Sequence, residues 1–233
     1  MVNVFSFSLF GEPNPLYYDG IIGNIELINK HYPTWLIFVY IGNDVPNEFV
    51  EKIRSYPNTI IRYTNETGLV NTMYRFFAID EAGVDVMFVR DADSRVHWKD
   101  RWAINNFLKS SKKCHIIRDH YCHDIAMLAG TWGMRKIEGL NIRELFDIFM
   151  KNPTTNNKGI DQEFLRIFVY PKMVGKILVH HSNNFILDKE YVIKFPFDWV
   201  NDIYCGRVED STFKDSPSPV NYNIPHVSIN FRR

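Results

Sequence analysis

The chain has 233 residues and equal numbers of basic and acidic side chains, 27 of each. This length favours one sizeable α/β domain over two independent cores. A chain without net charge lacks the positive field that attracts nucleic acid, so no nucleic-acid partner is expected. Any phosphate group of a ligand must then be bound by a few local groups. Three widely spaced cysteines predict no disulfide framework, and neither a secretory signal nor an apolar run of about 18 residues is present. We therefore expect a cytoplasmic protein without a membrane span.

The first 90 residues alternate between strand and helix patterns. Val2–Leu9 alternates apolar and small polar residues, residues 35–41 are almost continuously apolar, and Pro46 stands where a helix begins. We predict strands over Val2–Leu9, 35–41, Thr59–Tyr63 and Val84–Arg90, with helices over 16–30, after Pro46, and over 69–77. This order predicts a mostly parallel sheet with helices on both faces, whose ligands bind beyond the carboxyl ends of the strands.

The second half of the chain is less regular. We predict helices over 98–110, 142–151 and 160–169, and strands over 115–118 and 177–180. Between residues 119 and 133 the sequence predicts loops, and the last 45 residues or so are polar and poorly periodic.

Two aspartates, Asp91 and Asp93, directly follow the fourth predicted strand. At this spacing, on irregular backbone, two carboxylates can face one point, and Mg²⁺ and Mn²⁺ prefer such oxygen ligands while keeping positions open for phosphate. No other Asp-x-Asp occurs in the chain. The pattern alone is a weak signal that also fits a solvated turn. Its place after a buried strand raises the odds, so that pattern and position together fit a metal site and a turn about equally well.

A set of short motifs runs in order through nearly half the chain. It comprises residues 88–95 (FVRDADSR), 117–120 (IRDH), 128–133 (LAGTWG), 161–165 (DQEFL), 169–171 (VYP) and 179–180 (VH). This ordered set resembles GT-A fold glycosyltransferases, and in particular a family of small sugar transferases found in bacteria and in large algal viruses. The resemblance implies a GT-A-like single domain, with residues 1–95 binding the nucleotide sugar and residues 96–233 forming the acceptor side and a C-terminal tail.

The resemblance also implies roles for individual residues. Asp91, Ala92 and Asp93 match the segment that holds Mn²⁺ or Mg²⁺ and the donor's diphosphate, with Asp93 the more direct ligand. His180 matches a histidine that often completes the metal site, although His181 stands where an acidic residue is expected. Arg75 matches a basic residue near the donor phosphates. Asp161 and Gln162 match a pair that, in retaining transferases of related shape, lies against the donor sugar.

Further candidates follow from position along the predicted sheet. A uridine would lie along the first strand near Phe7, Ser8 and Leu9, with Tyr17 as a stacking partner. Arg118, Asp119, His120 and Trp132 are candidates for the acceptor side, and each also fits an ordinary structural role at a strand end or in the core.

These observations predict a glycosyltransferase that moves a hexose or deoxyhexose from a UDP-sugar to a glycan hydroxyl. Two alternatives stay open. One is a nucleotidyltransferase that uses the same carboxylates. The other is a non-catalytic sugar-binding or scaffold module, perhaps cut from a longer multidomain chain, in which Asp91 and Asp93 are only a turn.

Overall fold

The computed structural model describes residues 2–153, 157–182, 185–196 and 203–215. Its centre is an eight-stranded sheet. The sixth strand runs antiparallel to both of its neighbours, and the other neighbouring strands pair in parallel. The strands are β1 (Val2–Leu9), β2 (Leu36–Ile41), β3 (Thr59–Tyr63), β4 (Val84–Arg90), β5 (Cys114–Arg118), β6 (Thr131–Arg135), β7 (Ile177–His181) and β8 (Tyr191–Lys194), in the spatial order β3-β2-β1-β4-β6-β5-β7-β8.

Helices lie on both faces of this sheet. They are α1 (Pro15–His31), α2 (Asn47–Arg54), α3 (Asn71–Tyr74), α4 (Trp98–Lys109), α5 (Ile142–Met150), α6 (Ile160–Phe164) and α7 (Tyr170–Met173), with 3-10 turns at Gly68–Val70 and Arg75–Asp80 and a π-helical turn at Leu165–Val169. Residues of α1, α2 and α4 pack in one apolar cluster, while the Arg75–Asp80 turn, α5 and α6 pack in a second.

The strands supply both clusters because successive side chains of a strand point to opposite faces. Val4 belongs to one cluster and its neighbour Phe5 to the other, and the same alternation separates Met87 from Phe88. All four side chains are fully buried. The single-domain α/β prediction, with a mostly parallel sheet covered on both sides, is therefore confirmed.

The prediction of a loop over residues 119–133 was wrong at its end, because β6 begins at Thr131. This strand runs antiparallel between β4 and β5, with Gly133 opposite Phe88. A Cβ on Gly133 would lie 2.5 Å from the Phe88 ring and 2.6 Å from the Met87 carbonyl oxygen. The glycine that made this segment resemble a loop is thus required by the close approach of the neighbouring strand.

Two predicted helices are interrupted. The helix over residues 69–77 is divided into a 3-10 turn, α3 and a second 3-10 turn, where the carbonyl of Arg75 accepts a hydrogen bond from the Ser6 hydroxyl at 2.6 Å. The helix over 160–169 continues into α7 through the π-helical turn, directly before Pro171. Proline has no backbone N–H to donate, which explains why the regular hydrogen-bond ladder is lost there.

Candidate functional site

A cavity of about 530 Å³ opens at the carboxyl ends of β1 and β4. Six segments contribute to its wall, and they come from both halves of the chain. The lining residues that matter below are Ser8, Leu9, Tyr17, Leu69, Thr72, Arg75, Asp91, Ala92, Asp93, His123, Ala129, Gly130, Thr131, Lys158, Gly159, Asp161, Gln162, Gly206 and Val208. The edge of the sheet where ligands were expected is therefore the edge where the cavity lies.

Helix α1 holds the loop that carries Asp91 and Asp93. The buried side chain of Asn24 donates to the carbonyl oxygens of Ala92 at 3.4 Å and Ser94 at 2.7 Å, and accepts from the backbone N–H of Val96 at 3.1 Å. A Cβ on Gly20 would lie 2.2 Å from the Ala92 carbonyl oxygen. Only a glycine at this helical position lets the loop approach α1 so closely, and the loop is thereby fixed on both sides of Asp93.

The carboxylate of Asp91 is packed against Gly130, directly before β6. A Cβ on Gly130 would lie 1.8 Å from Asp91 Oδ2. In the sequence, residues 128–133 stand out only as a motif. The structure shows that the absence of a side chain at Gly130 leaves the space that the Asp91 carboxylate occupies.

Negative charge accumulates on this wall of the cavity. Burial raises the pKa of Asp93, and repulsion by Asp91 raises it further. The pKa of the Tyr17 phenol is also raised, first by burial and then by Asp93 and Asp91. A partly buried carboxylate beside a second carboxylate is stabilised by a nearby positive charge, such as a bound cation.

Arg75 supplies part of that positive charge. Its guanidinium is buried and forms ion pairs with Asp91 and, at 3.2 Å, with Asp161. It therefore joins the loop after β4 to helix α6. Within the described part of the chain its Nε atom has no hydrogen-bond partner, so one buried donor remains for another group.

Asp161 and Gln162 lie at the start of α6, after Gly159, whose φ of 100° is a left-handed conformation that favours glycine. Asp161 Oδ1 accepts from the backbone N–H of Gln162 at 2.9 Å, and Gln162 Oε1 accepts from the N–H of Ala129 at 3.1 Å. Both side chains are held in place at the cavity wall. The Gln162 amide nitrogen remains as a donor for a substrate.

Ser8, at the end of β1, is a second buried group without a partner. The residue is 7% exposed, lines the cavity, and its hydroxyl makes no hydrogen bond with the described residues. Leaving a buried hydroxyl unsatisfied costs about 1–3 kcal/mol. A ligand that exchanges hydrogen bonds with Ser8 would remove that cost.

Two predicted site residues belong to the core. Phe7 is fully buried in the cluster that covers α1, α2 and α4, and Trp132 is fully buried with its ring edge-on to Phe76 at 5.5 Å. Neither side chain lines the cavity. The alternation along β1 explains Phe7, because it points to the face opposite its neighbour Ser8. Trp132 lies in the middle of the unpredicted strand β6 and so presents no indole face to a sugar.

Arg118 and Asp119 are buried structural residues that do not line the cavity. Arg118 forms an ion pair with Glu190 at 2.7 Å and donates to backbone carbonyls, including that of Ile125 at 3.0 Å. Asp119 accepts from Lys99 Nζ at 2.7 Å and from the N–H of Cys205 at 2.9 Å. These contacts join β5 to segments that are distant in sequence. Because both side chains are buried and engaged in them, neither is available to bind an acceptor sugar.

Replacing Arg118 by Met is expected to lower the free energy of unfolding by about 3–5 kcal/mol, because it leaves Glu190 buried without its partner. Urea denaturation followed by circular dichroism measures this loss. Arg166→Met is the matched control, since Arg166 pairs with Glu163 at 2.8 Å on the surface, where water screens the pair and its loss should change stability little. Equal losses in the two variants would contradict the structural role of Arg118.

His180 was predicted to complete the metal site, but the structure does not bring it to the cavity. It is fully buried in β7, where its Nδ1 lies 2.8 Å from His115 Nε2 and its ring is edge-on to Trp102. Burial lowers its pKa to about 3. His181 is also buried and does not line the cavity. Across the described ranges, no three His, Cys, Asp or Glu side chains form a group that could hold a metal ion.

Several residues that line the cavity were not assigned to it from the sequence, and three of them are polar or come from unexpected segments. His123 lines it, and burial together with His120 lowers the His123 pKa to about 4. Lys158 lines it while exposed. Gly206 lines it from the C-terminal segment, whose lack of periodicity gave no signal. His120 lies outside the lining residues, with its ring stacked on Tyr204 at 4.1 Å.

The described helices include none that is both long and apolar enough to cross a bilayer.

Comparisons with known proteins find neither a matching family model nor a matching curated protein. Solved structures do resemble the chain. The synthase of 4-diphosphocytidyl-2C-methyl-D-erythritol from Anaerococcus prevotii has a TM-score of 0.51 at 12% identity, covering 77% of this chain and 86% of its own. A candidate glucose-1-phosphate thymidylyltransferase from Bacillus anthracis has a TM-score of 0.50 at 13% identity, covering 78% and 86%.

The glycosyltransferase GlyE of Streptococcus pneumoniae has a TM-score of 0.51 at 16% identity. The alignment covers 76% of this chain but 44% of GlyE, so the chain spans less than half the length of that enzyme. At such identities the likeness shows a shared fold. The chain therefore has the GT-A-like α/β fold that these structures share.

Proposed function

We propose that this protein is a glycosyltransferase that moves a hexose or deoxyhexose from a UDP-sugar to a glycan hydroxyl with the help of Mn²⁺ or Mg²⁺. One observation carries the proposal. A single cavity is lined by the adjacent carboxylates Asp91 and Asp93, by the anchored pair Asp161 and Gln162, and by the buried, unpartnered hydroxyl of Ser8. A nucleotide, a cation and a sugar need these three kinds of group in one place.

The residues present fit a divalent cation. Asp91 and Asp93 offer carboxylate oxygens on one loop, and burial together with repulsion by Asp91 raises the pKa of Asp93, so a cation beside both would stabilise the charged carboxylate. A bound cation would stabilise the negative charge that develops on the diphosphate as it leaves. We propose that Asp93 is the more direct ligand, since Asp91 already forms an ion pair with Arg75. No protein residue is proposed as a third ligand.

The chain's own groups have distinct proposed roles around the donor. Ser8 and Leu9 would contact the nucleoside, with Tyr17 beside them, and the loop Asp91–Ala92–Asp93 would face the diphosphate. Arg75 holds Asp91 and Asp161 in fixed positions and has its Nε left to donate. Asp161 and Gln162 would lie against the sugar, where they would stabilise its oxocarbenium character as the bond to the diphosphate breaks and the bond to the acceptor oxygen forms. We infer retention of configuration, which analysis of the product's anomeric configuration would test.

The division of the chain follows the same proposal. Residues 1–95 would bind the nucleotide sugar, and residues 96–233 would contribute the acceptor side. The cavity receives residues from both ranges.

A nucleotidyltransferase is the second candidate, because two of the structural neighbours, including the thymidylyltransferase, match over 86% of their own length. Charge argues against it. A nucleotidyltransferase must bind a nucleoside triphosphate together with a sugar phosphate, whereas Arg75 and Lys158 are the cationic side chains among the described lining residues, against Asp91, Asp93 and Asp161. Arg75 is already shared by two carboxylates.

A thermal-shift titration separates the candidates. UDP and Mn²⁺ together should stabilise a glycosyltransferase by RT ln(1 + [L]/Kd), about 2.7 kcal/mol at a hundredfold excess over Kd, and each alone should stabilise it much less. A scaffold module should respond to neither. A nucleotidyltransferase should instead release pyrophosphate from UTP and a sugar 1-phosphate, and that activity, without hydrolysis of UDP-glucose or UDP-galactose, would overturn the proposal.

A further inference from the structure

Arg95 lies two residues after Asp93 and is almost fully buried, with 4% of its surface exposed. All three of its hydrogen bonds within the described part of the chain go to backbone carbonyl oxygens. Nη1 donates to Ala92 at 3.4 Å and to Ser94 at 2.9 Å, and Nη2 donates to Asp210 at 3.4 Å. Buried cations usually pair with a carboxylate. This one instead binds the backbone of the loop that carries Asp91 and Asp93.

The carbonyl oxygens on both sides of Asp93 each receive two donors. The side-chain nitrogen of Asn24 lies 3.4 Å from the oxygen of Ala92 and 2.7 Å from that of Ser94, and Arg95 Nη1 donates to the same two oxygens. A carbonyl oxygen has two lone pairs, so both acceptors are used completely. The peptide groups before and after Asp93 are thereby held in one orientation, while its carboxylate lines the cavity.

The carbonyl of Asp93 itself is held by the segment 203–215. It accepts from the backbone N–H of Glu209 at 2.8 Å, and the next residue of that segment, Asp210, is the one whose carbonyl oxygen binds Arg95 Nη2. Three consecutive carbonyls of the loop are therefore engaged. Arg95 binds two of them directly and fixes the neighbour of the residue that binds the third.

Helix α1 is shaped to receive this guanidinium. A Cβ on Gly20 would lie 3.0 Å from Arg95 Nη1, and a Cβ on Gly23 would lie 3.1 Å from its Nε. Residues three apart lie on the same face of a helix, so the two glycines form one shallow groove. Glycine is unfavourable in the interior of a helix. Its presence at both positions is explained by the close approach of Arg95.

A second cavity, of about 390 Å³, reaches Arg95 from the surface. Its wall includes Gly23 of α1, Arg95, and Asp210 and Phe213 of the segment 203–215. Among the described residues, none lines both this cavity and the one that contains Asp91 and Asp93. Arg95 therefore has no access to a donor bound beside those carboxylates, and any effect it has on them is transmitted through the backbone.

We infer that Arg95 is a positioning residue, which fixes the backbone on both sides of Asp93 so that the two carboxylates face a cation in one arrangement. The inference rests on the proposed function for the presence of that cation. Groups that orient metal ligands without touching the metal typically change metal affinity by about 10–100-fold when they are removed. An effect of this size is expected here.

The test measures Mn²⁺ binding directly, in the presence of UDP, by counting free Mn²⁺ with electron paramagnetic resonance. Arg95→Ala should raise the Kd for Mn²⁺ by about 10–100-fold. Arg95→Lys, whose single nitrogen cannot bind all three carbonyls, should show a smaller rise, and it provides the measurement if Arg95→Ala does not fold. Near-ultraviolet circular dichroism establishes that each variant is folded.

Arg101→Ala is the matched control. Arg101 also joins the segment 203–215 to the rest of the protein, because it pairs with Asp215 at 3.3 Å, and it donates to the carbonyl oxygen of Val96 at 3.0 Å. It binds neither carbonyl beside Asp93, so its loss should leave the Kd for Mn²⁺ near that of the wild type.

Chemical rescue distinguishes positioning from a general loss of packing. Guanidinium ion can enter the space left in Arg95→Ala through the second cavity, and it should restore Mn²⁺ binding to this variant but not to Asp93→Asn. Wild-type affinity in both Arg95 variants, equal losses in Arg95→Ala and Arg101→Ala, or no recovery with guanidinium would each overturn the inference while the wild type still binds Mn²⁺. A wild type that binds no Mn²⁺ would instead refute the metal site, and the role of Arg95 with it.

Discussion

Asp93→Asn is expected to raise the melting temperature of the protein without ligand and to abolish the further rise that UDP plus Mn²⁺ produces. The pKa of Asp93 is raised by burial and by Asp91, so at neutral pH its charge is less favourable in the folded than in the unfolded state. Asparagine removes that charge, and for a chain of this size each kcal/mol gained corresponds to about 2–4 °C. The same change removes the proposed direct metal ligand.

The pH dependence of this effect has a definite sign. A carboxyl group whose pKa is higher in the folded state binds its proton more tightly there, so stability falls as the pH rises from the unfolded pKa to the folded one. The wild type should show this loss for Asp93, and the asparagine variant should not. Thermal melts across acidic to neutral pH measure the difference.

The catalytic consequence should be larger than the effect on stability. Loss of cation stabilisation of the leaving diphosphate is expected to lower the hydrolysis of UDP-glucose or UDP-galactose by about 10²-fold or more, which is several kcal/mol of transition-state stabilisation. Asp147→Asn is the control, because Asp147 is exposed on α5 and does not line the cavity. An unchanged Mn²⁺ response and unchanged turnover in a folded Asp93→Asn protein would refute the metal site.

Gly130→Ala is expected to lower turnover by about 10²-fold while the protein stays folded. Its added Cβ would lie 1.8 Å from Asp91 Oδ2, so the carboxylate must rotate away from its place beside Arg75. A displacement of about 1 Å in a catalytic group can cost this much. The backbone of Gly130 has no positive φ, and the side chain of Asp91 can yield, so the loss in unfolding free energy should stay near about 1 kcal/mol.

Gly20→Ala provides the comparison. There the added Cβ would lie 2.2 Å from the carbonyl oxygen of Ala92, and a backbone atom held by Asn24 cannot yield as a side chain does. This variant should lose both stability and turnover, as measured by urea denaturation and by UDP release. Wild-type turnover in Gly130→Ala would mean that the orientation of Asp91 does not matter, and its proposed role would then be wrong.

The sequence predicted most of the first half of the fold because local pattern and tertiary environment agree there. The apolar run that became β2 is buried as its pattern indicates. The alternation of β1 identified a strand, although both of its faces are buried, including Ser6 and Ser8. In β6 the local pattern and the tertiary environment disagree. Gly133 is typical of loops, yet it lies in a strand because the close approach of β4 requires a residue without a side chain. The short strand β8 was not predicted. It is only half-buried, whereas a strand is recognised in a sequence by its pattern of burial.

The candidate site was predictable to a similar extent. Asp91 and Asp93 follow a recognisable buried strand, so their position could be inferred from an element end. Asp161 and Gln162 were predicted only from the family resemblance. The partners of Arg118, by contrast, come from residues such as Glu190, about seventy positions later. Sequence position alone does not distinguish a strand end that faces a cavity from one that is enclosed by a distant segment. His180 was misplaced for the same reason, because its neighbours Trp102 and His115 come from other elements.

The segment 203–215 has a consequence for how the protein matures. It contributes Gly206 and Val208 to the cavity, and the N–H of Glu209 donates to the carbonyl oxygen of Asp93 at 2.8 Å. A nascent chain that has emerged only to residue 196 already contains all eight strands of the sheet but lacks this wall. The cavity is therefore complete only after residues 203–215 have been synthesised, whereas all eight strands of the described sheet lie before residue 196.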